Sequence, residues 1–533
     1  MKDILIKKFY ESIPKILSLC DRNPFSKTFG CFDKNYWHFK TIDFPSSMYQ
    51  ECVLPLAQAY ILKDKKNPYH KKKVIKKLCI GSINFSNSIS KSNGSTDDYF
   101  PNEQAYGSSA FSLYADTETY LILGLKNRQM NKIFINRAMF LINNSESGNL
   151  SNHHALAILS IYNVYLITND SYFLKIIKKK IKDLLKWQNE EGWFEEYGEF
   201  DLGYLTKTIC FLSKYYLKSK DKIVKIPLIK SINFCLNFLH KDGSFGGEYS
   251  SRSSYHFHVS GFEICSKFIN KSTLVTDHFI KSILRNKNSI YGDDRIFSHS
   301  VYDYFDSYRY FNKKRYKNKK TKPLNKYFPM SGIYIFKNNK YDFICNLKKG
   351  LVIKAYNKNK CVFSDTNPVL KFKNKILCSN RYDKNDQYSI DLKNKVFFTK
   401  KKFTKSLNTY NSPLKIIFFR LINLTISKFF PNFIRKLLQK IIIYSSDSNK
   451  ILFFKEVKLN NSGFKIIYKI SGNKKNLSKL NCLYLSTHLN PIYTAASYPY
   501  QETFINLEDK SNKKFLDQLR QKGEIKITKT INV

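Results

Sequence analysis

Acidic residues are scarce in this sequence of 533 residues: 42 Asp and Glu stand against 90 Lys and Arg, a formal net charge of +48. So basic a chain suits nucleic acid, an anionic membrane or an acidic polysaccharide. Zinc-finger spacing, an RNP-like strand and a basic leucine heptad are all missing, so we expect no nucleic-acid partner. Part of the charge has another origin, because Lys accompanies abundant Asn, Ile, Phe and Tyr, the residues of adenine- and thymine-rich codons.

Redox, metal and cofactor motifs are missing as well. The eleven cysteines, an odd number, are scattered from Cys20 to Cys482 without a CxxC pair, so we expect reduced and mostly buried thiols in a cytosolic protein. The sequence has no Rossmann fingerprint and no P-loop. The pattern of His256 and His258 with Glu248 is weak for a metal site. We therefore predict neither a metal nor a cofactor.

Uninterrupted apolar runs are also absent at the N-terminus, where charges break up MKDILIKKFYESIPKIL. This segment has no small-residue cleavage site, and we interpret it as an amphipathic helix, not a signal peptide or a membrane anchor. We accordingly expect a cytoplasmic protein. With 43% hydrophobic and 16% aromatic residues, the chain has ample material for a folded core.

Residues 1–305 are predicted to form a series of helices, because apolar residues recur at i, i+3, i+4 and i+7. The clearest segments are His154–Thr168, Tyr172–Trp187, Leu202–Leu217 and Ile226–His240. Turns at Gly148, Gly192, Gly243 and Gly292 lie 44, 51 and 49 residues apart. A helical hairpin needs roughly 40 to 50 residues, so the spacing predicts stacked hairpins. We favour an (α/α) toroid, with an open solenoid as the alternative, since polar and aromatic residues crowd the turns at one mouth.

A basic linker over residues 306–326 separates the helices from a region of alternating short strands. We predict that residues 327–533 form an antiparallel β-sandwich, beginning with two strands around the Asn338-Asn339 turn. Further strands are expected at Leu351–Tyr356, Tyr388–Leu392, Lys395–Thr399, Lys450–Leu459 and Gly463–Ser471. The fold class is therefore α+β, with an N-terminal toroid and a C-terminal sandwich.

Residues 413–444 interrupt the strand pattern with a strongly apolar stretch that contains basic residues. The charges are too frequent for a membrane-spanning helix. Two basic amphipathic helices broken at Pro431 would lie on an anionic membrane surface, at the inner face of the membrane. The alternative is an ordinary helical insertion packed on the sandwich.

Several loops that lead into helices combine carboxylates, aromatic rings and cations in a few residues. Carboxylates at a helix N-terminus interact favourably with the helix dipole, which explains some of them. Together these loops would line a sugar-binding groove. The residues that we expect to contact substrate are Asn102, Glu103, Trp193, Glu195, Glu196, Asp201 and Glu248.

A toroid followed by a β-sandwich resembles the polysaccharide lyases of the heparinase II/III-like and alginate-lyase kind. Those enzymes use an Asn-His pair and a Tyr some fifty residues later. Asn152-His153 matches the pair, and Tyr204 lies 52 residues after Asn152. The loop that carries Tyr255 and His256 is similar to the family's tyrosine-bearing loop. No histidine of the sandwich region matches the family's pattern.

The resemblance implies β-elimination at a uronic acid. Asn152 and His153 would hydrogen-bond the carboxylate and stabilise the charge that develops at C5, and a tyrosine would remove the C5 proton. A free tyrosine has a pKa of ~10 and needs a neighbouring cation to lower it. We expect Arg252 to do this for Tyr255, whereas acidic neighbours surround Tyr204 in the sequence.

Two other functions fit the same residues. Glu195, Glu196, Asp201 and Glu248 would supply the acid and base of a glycoside hydrolase. A non-catalytic protein that binds a surface polysaccharide or its precursor at the membrane would fit the absence of a signal peptide. In each case the expected partner is an acidic polysaccharide or oligosaccharide.

Overall fold

The computed structural model describes residues 1–146, 148–287, 294–317, 323–383, 385–406, 412–439, 448–488 and 510–533. Helices occupy the N-terminal part and antiparallel sheets most of the C-terminal part, so the predicted α+β fold class is confirmed. Part of the predicted linker (318–322), the predicted Gly292 turn and residues 440–444 of the predicted insertion lie outside the described residues.

Six helices form a closed inner ring, in which each helix contacts the next and the last contacts the first. Closure of the ring decides for the toroid over the open solenoid. These inner helices are α3 (Val53–Ile61), α5 (Tyr106–Ile122), α7 (Ser151–Thr168), α9 (Leu202–Ser219), α11 (Ser260–Cys265) and α13 (Ser298–Arg309).

The other α-helices of this region lie outside the ring, and the short α2 (Lys34–Trp37) is not counted among them. Helix α8 (Tyr172–Leu185) shows why these helices lie outside: Phe173, Ile177, Ile181 and Leu184 form one buried stripe, whereas Lys175, Lys178, Lys179 and Lys182 are exposed. In α7, by contrast, almost every residue up to Val164 is buried. The outer helices are α1 (Lys2–Leu19), α4 (Lys73–Ser88), α6 (Arg128–Asn143), α8 (Tyr172–Leu185), α10 (Lys225–Cys235) and α12 (Thr273–Leu284).

The first sheet has five antiparallel strands in the order β1-β2-β3-β4-β5. Its three middle strands are buried on both faces: Ile333 and Ile335 belong to the helical core, whereas Tyr334 and Phe336 face the second sheet. The helical and sheet regions therefore share this layer. Its strands are β1 (Leu324–Phe328), β2 (Ile333–Lys337), β3 (Tyr341–Asn346), β4 (Val352–Asn357) and β5 (Lys360–Asp365).

The second sheet has the order β12-β6-β7-β9-β10-β11-β13, with β8 paired to β9. The two sheets enclose a common core that includes Phe343, Phe397 and Phe453, which confirms the predicted antiparallel sandwich. The strands are β6 (Pro368–Phe372), β7 (Lys375–Cys378), β8 (Gln387–Asp391), β9 (Val396–Lys405), β10 (Ser448–Leu459), β11 (Gly463–Ser471), β12 (Cys482–Leu485) and β13 (Glu524–Asn532).

Five further helices lie in the described residues of the C-terminal part. Three of them follow one another closely in the insertion, and Pro431 begins the third: α14 (Pro413–Leu424), α15 (Ile426–Phe429) and α16 (Pro431–Gln439). The others are α17 (Lys474–Leu477) and α18 (Lys510–Lys522). No helix in the described part of the chain is long and apolar enough to cross a membrane. All eleven cysteines are free thiols, and only Cys361 and Cys482 are not buried.

Candidate active site

The candidate site lies where the inner helices begin. An outer helix returns the chain between successive inner helices, so the inner helices all start at the same mouth of the toroid. Two contacts confirm this placement: Ser151 Oγ lies 3.0 Å from Thr208 Oγ1 across α7 and α9, and His299 Nε2 lies 2.8 Å from Glu51 Oε1 across α13 and the turn before α3. The N-terminal ends of helices attract negative charge.

Asn152 and Glu196 form a buried pair at the start of α7. Asn152 Nδ2 donates to Glu196 Oε1 over 2.8 Å, and Ser151 Oγ donates to Glu196 Oε2 over 3.0 Å. Burial raises the pKa of Glu196 to about 7, although His153 and these donors oppose the shift. Asn152 and Glu196, both predicted site residues, are therefore in direct contact.

His153 lies beside this pair and is partly exposed to solvent. Its Nδ1 is 2.8 Å from Glu146 Oε2, and its ring meets the Phe111 ring edge-on at a centroid distance of 5.7 Å. It packs over Gly107, where an added Cβ would come within 2.6 Å of the ring. The neighbouring His154 instead packs against an outer helix, with its ring 4.7 Å from that of Trp187.

Tyr204 stands in the first turn of α9 and is half-buried. Its ring centroid is 5.6 Å from that of Tyr197 and 5.4 Å from that of His256. The ammonium of Lys207, one turn further along α9, lies 5.8 Å from the centre of the Tyr204 ring. Tyr204 therefore reaches solvent between aromatic rings and a cation.

Lys207 belongs to a buried chain of polar groups that sequence reasoning missed. Its Nζ lies 2.8 Å from His299 Nδ1, and His299 reaches Glu51 on its other side. Burial lowers the pKa of Lys207 to about 8, opposed by the carboxylates of Glu51 and Glu196. Burial and the Lys207 cation hold the pKa of His299 well below its ordinary value, so this imidazole is neutral near pH 7.

Two arginines add positive charge to the mouth. The guanidinium of Arg252 lies 3.6 Å from the centre of the Tyr197 ring, and Arg295 Nη1 donates to Asp98 Oδ2 over 2.5 Å. Arg295 also stacks on Tyr99, 4.6 Å from the ring centre. Lys207 and these arginines make the mouth suitable for an anionic ligand.

Tyr255 lies in a separate buried cluster between the toroid and the first sheet. Its hydroxyl donates to both carboxylate oxygens of Glu248, at 2.7 and 2.6 Å, and also contacts Lys354 of β4. Lys354 Nζ is 2.7 Å from Glu248 Oε2. Burial and Glu248 raise the pKa of Tyr255 well above its ordinary value. This shift is opposite to the lowering that we expected from Arg252.

The remaining predicted residues make local contacts that shape the loops. Asp201 caps α9 by accepting from the amide of Gly203, at 3.1 Å. Glu103 accepts from the amide of Tyr99, at 2.7 Å, and Trp193 Nε1 donates to Glu191, at 2.8 Å. Glu195 accepts from Asn149 Nδ2, and Asn102 donates to the Asn423 carbonyl. Substrate contact by these five residues remains a prediction.

Little in the sequence indicates that Lys207, His299 and Glu51 lie together. They are separated by 92 and 248 residues, and none belongs to a recognisable motif. The one local hint is Lys207 itself, a charged residue within the apolar face of the predicted helix Leu202–Leu217. Among the described residues, no group of three His, Cys, Asp or Glu side chains is arranged to hold a metal ion.

Comparison with known proteins gives structural similarities at low identity. No family model matches the sequence, and no curated protein matches it. The chain is similar to heparinase III, with 11% identity and a TM-score of 0.49; the match covers 84% of this chain and 65% of heparinase III. The match therefore spans less than two thirds of that protein's length.

Two glycoside hydrolases show weaker similarity. An unsaturated glucuronyl hydrolase from Streptococcus agalactiae has 12% identity and a TM-score of 0.39, over 58% of this chain and 92% of that one. A β-L-arabinofuranosidase from Geobacillus stearothermophilus T6 has 9% identity and a TM-score of 0.38, over 77% and 93%. Such identities do not transfer the role of any residue, so the chemistry has to come from the groups described above.

Proposed function

We propose that this protein is a carbohydrate-active enzyme that cleaves an acidic, uronate-containing polysaccharide by β-elimination. The observation that carries the proposal is the position of Tyr204, a half-buried tyrosine at a cationic mouth, close to Lys207, His256 and the stacked pair of Arg252 and Tyr197. In β-elimination a base removes the proton next to a carboxylate, and a phenol beside cations suits that step.

The cations would act on the substrate's carboxylate. The C5 proton of a uronate is acidic enough to remove only when the charge that develops on the carboxylate is neutralised. Lys207, Arg252 and Arg295 supply positive charge at the mouth, and His153 offers a partly exposed ring beside them. The buried pair of Asn152 and Glu196 fixes the turn from which His153 projects.

Side chains at the mouth would complete the transfer of the C5 proton to the departing oxygen. Tyr204 takes the C5 proton, and the departing oxygen of the next sugar receives a proton from Tyr204 itself or from a neighbouring group. Lys207, whose pKa is about 8, exchanges protons readily near neutral pH and is linked to Glu51 through His299. This assignment replaces Tyr255, because its hydroxyl is buried and already donates to Glu248.

Glycoside hydrolysis is the second candidate, and a specific observation favours it. Burial raises the pKa of both Glu196 and Glu199 to about 7, so each carboxyl is partly protonated at neutral pH, as a general acid requires. Glu199 keeps 22% of its side chain exposed. A protein that binds the glycan without cleaving it is the third possibility.

The test is a panel of uronate-containing and neutral polysaccharides, followed by ultraviolet absorbance of unsaturated uronate and by new reducing ends. We expect both signals with an acidic glycan. Tyr204→Phe should lower the rate by a factor of about 10² to 10⁴, because it removes the hydroxyl and keeps the ring. Reducing ends without absorbance would establish hydrolysis, and binding without either signal would establish the third function.

Two phenylalanine variants serve as controls. Tyr216→Phe changes a half-buried tyrosine at the other end of α9, next to Phe268, and should leave the rate unchanged. Tyr255→Phe should destabilise the fold by about 1.5 to 3 kcal/mol, the range for a hydrogen bond to a charged group, and leave the rate per folded molecule near that of the wild type. Loss of activity in Tyr255→Phe with normal stability would return the role of base to Tyr255.

A further inference from the structure

The insertion formed by α14, α15 and α16 exposes an unusual number of large apolar side chains. A soluble surface rarely presents so many in one contiguous stretch. Phe418, Phe429 and Phe433 are 67%, 72% and 62% exposed. The other exposed members are Leu414, Ile416, Ile417, Leu421, Leu424, Ile426, Phe430 and Leu437.

The charge of the insertion has a single sign. Residues 413–439 contain no Asp or Glu, and the basic residues are Lys415, Arg420, Lys428, Arg435 and Lys436. Lys415, Lys428 and Lys436 are exposed. Long basic side chains among apolar ones can extend toward phosphate groups while their stems remain in an apolar layer.

One side of the insertion is fixed to the toroid. Asn102 Nδ2 donates to the Asn423 carbonyl over 3.1 Å, the Phe100 and Phe419 rings meet at 5.3 Å, and Arg420 pairs with Asp43. These contacts lie on the side of the insertion that faces the toroid. The apolar side chains named above remain exposed to solvent. The insertion is therefore held against the loop before α5 and projects its apolar side outward.

We propose that the insertion docks onto an anionic lipid surface. Apolar side chains flanked by Lys and Arg are the features of helices that lie in the headgroup region, and anionic lipid complements the unbroken positive charge. Docking in this way would hold the toroid mouth beside the membrane, because the loop before α5 borders that mouth. The proposal does not depend on which reaction the mouth carries out.

The experiment is co-sedimentation of the full-length protein with vesicles of phosphatidylcholine, with and without phosphatidylglycerol, at low and high salt. We expect binding to the anionic vesicles that weakens with salt. The triple variant Phe418→Ser, Phe429→Ser and Phe433→Ser should lose at least about tenfold in partition coefficient. The matched control is Phe25→Ser, Ile226→Ser and Leu284→Ser, three side chains that are 95%, 61% and 66% exposed elsewhere.

A second pair of variants tests the charge. Lys415→Gln, Lys428→Gln and Lys436→Gln together should weaken binding by up to about fivefold per lysine. The same number of charges is removed in the control by Lys65→Gln, Lys66→Gln and Lys77→Gln, which are exposed and lie outside the insertion. The control should bind nearly as well as the wild type.

Three results would overturn the proposal. One is failure of the wild type to bind anionic vesicles at low salt. Another is an equal loss of binding in the insertion variants and in their controls. The third is a wild type that does not bind vesicles and instead self-associates through the insertion. The triple Phe variant would then sediment as a smaller particle than the wild type. Thermal melting of every variant establishes that the fold is intact.

Discussion

For single residues at the mouth of the toroid, burial changes the pKa of titratable side chains more than their sequence neighbours do. Glu196 follows Glu195 in the chain, yet burial is the main cause that raises its pKa to about 7. Lys207 stands between Thr206 and Thr208 in the sequence, and its pKa falls to about 8 for the same physical reason. Both values lie near neutral pH, where small changes of pH alter the charge of the site.

Glu196→Gln tests the raised pKa of Glu196. Between pH 4.5 and 7 the folded chain keeps a proton on Glu196 that the unfolded chain has released, so this carboxyl lowers the stability as pH rises through that range. A glutamine cannot ionise and escapes the loss. Relative to the wild type, the variant should gain up to about 3 kcal/mol of unfolding free energy between pH 5 and pH 8. Urea unfolding at both pH values measures the gain.

The comparison between variant and wild type cancels the contribution of Glu199, whose pKa is also about 7. If the stability difference between Glu196→Gln and the wild type were constant from pH 5 to pH 8, the raised pKa would be refuted.

At the scale of elements, Asp201 joins two loops that the sequence presents separately. Its Oδ1 caps α9 at Gly203, and its Oδ2 accepts from Ser250 Oγ and from the amide of Arg252, both at 2.9 Å. The loop that bears Arg252 is thereby fixed against the helix that bears Tyr204. We predicted Asp201 as a substrate ligand, and its contacts in the structure are those of a cap and a loop tie.

Asp201→Ala should therefore destabilise the protein more than an ordinary cap deletion. The control is Asn127→Ala, which removes the cap of the outer helix α6, where Asn127 Oδ1 accepts from Met130. We expect about 1 kcal/mol for the control and about 2 to 4 kcal/mol for Asp201→Ala, since two further buried donors lose their acceptor. Denaturant unfolding of the two variants under identical conditions measures the difference.

Equal losses in the two variants would show that the bonds to Ser250 and Arg252 add nothing to the cap. Asp201→Asn sharpens the result, because an amide oxygen can still cap α9 while its NH₂ group faces the loop donors. This variant should lie between the wild type and Asp201→Ala.

At the scale of the whole molecule, the first sheet connects the two regions by packing on both of them. Apolar side chains of β2 alternate between the helical core and the sandwich core. The buried ion pair of Lys354 and Glu248, together with the Tyr255 hydroxyl, joins β4 to the tyrosine-bearing loop of the toroid. Lys349 adds to this junction by donating to the carbonyl oxygens of Glu248 and Ser250.

Lys354→Met tests the energetic role of this junction. Removing the ammonium leaves the Glu248 carboxylate buried without its cation, so we expect a loss of about 3 to 5 kcal/mol in unfolding free energy. The double variant Lys354→Met with Glu248→Gln removes both charges and should recover most of that loss. Unfolding of both variants, followed by circular dichroism and by intrinsic fluorescence, measures the recovery.

A double variant that is as unstable as Lys354→Met would contradict this account, because the loss would then arise from packing around Lys354 and not from an unpaired charge. The exposed pair of Lys186 and Asp183 provides the reference, since removal of either partner should change the stability by less than about 1 kcal/mol.

Local patterns in the sequence predicted the clearest helices and strands, the order of the two architectures and the turns that carry the polar residues. Periodicity is a local property, so the helices α7 to α9 and the strands β2, β3, β4, β8, β10 and β11 were predictable within a few residues, whereas α10 ends five residues before its predicted end and β9 six residues after it. The glycine spacing predicted helical hairpins for the same reason. Asn152, Glu196 and Tyr204 were predicted as site residues because each belongs to a polar turn at a helix start.

How those turns combine depends on contacts between residues that are far apart in the chain. Closure of the ring brought Lys207, His299 and Glu51 together across 92 and 248 residues, and no local pattern encodes such distances. Packing against the first sheet buried Tyr255 on Glu248 and Lys354, which reversed the pKa shift that its sequence neighbours implied. Burial and long-range pairing set the charge of a titratable group, and both exist only once the chain is folded.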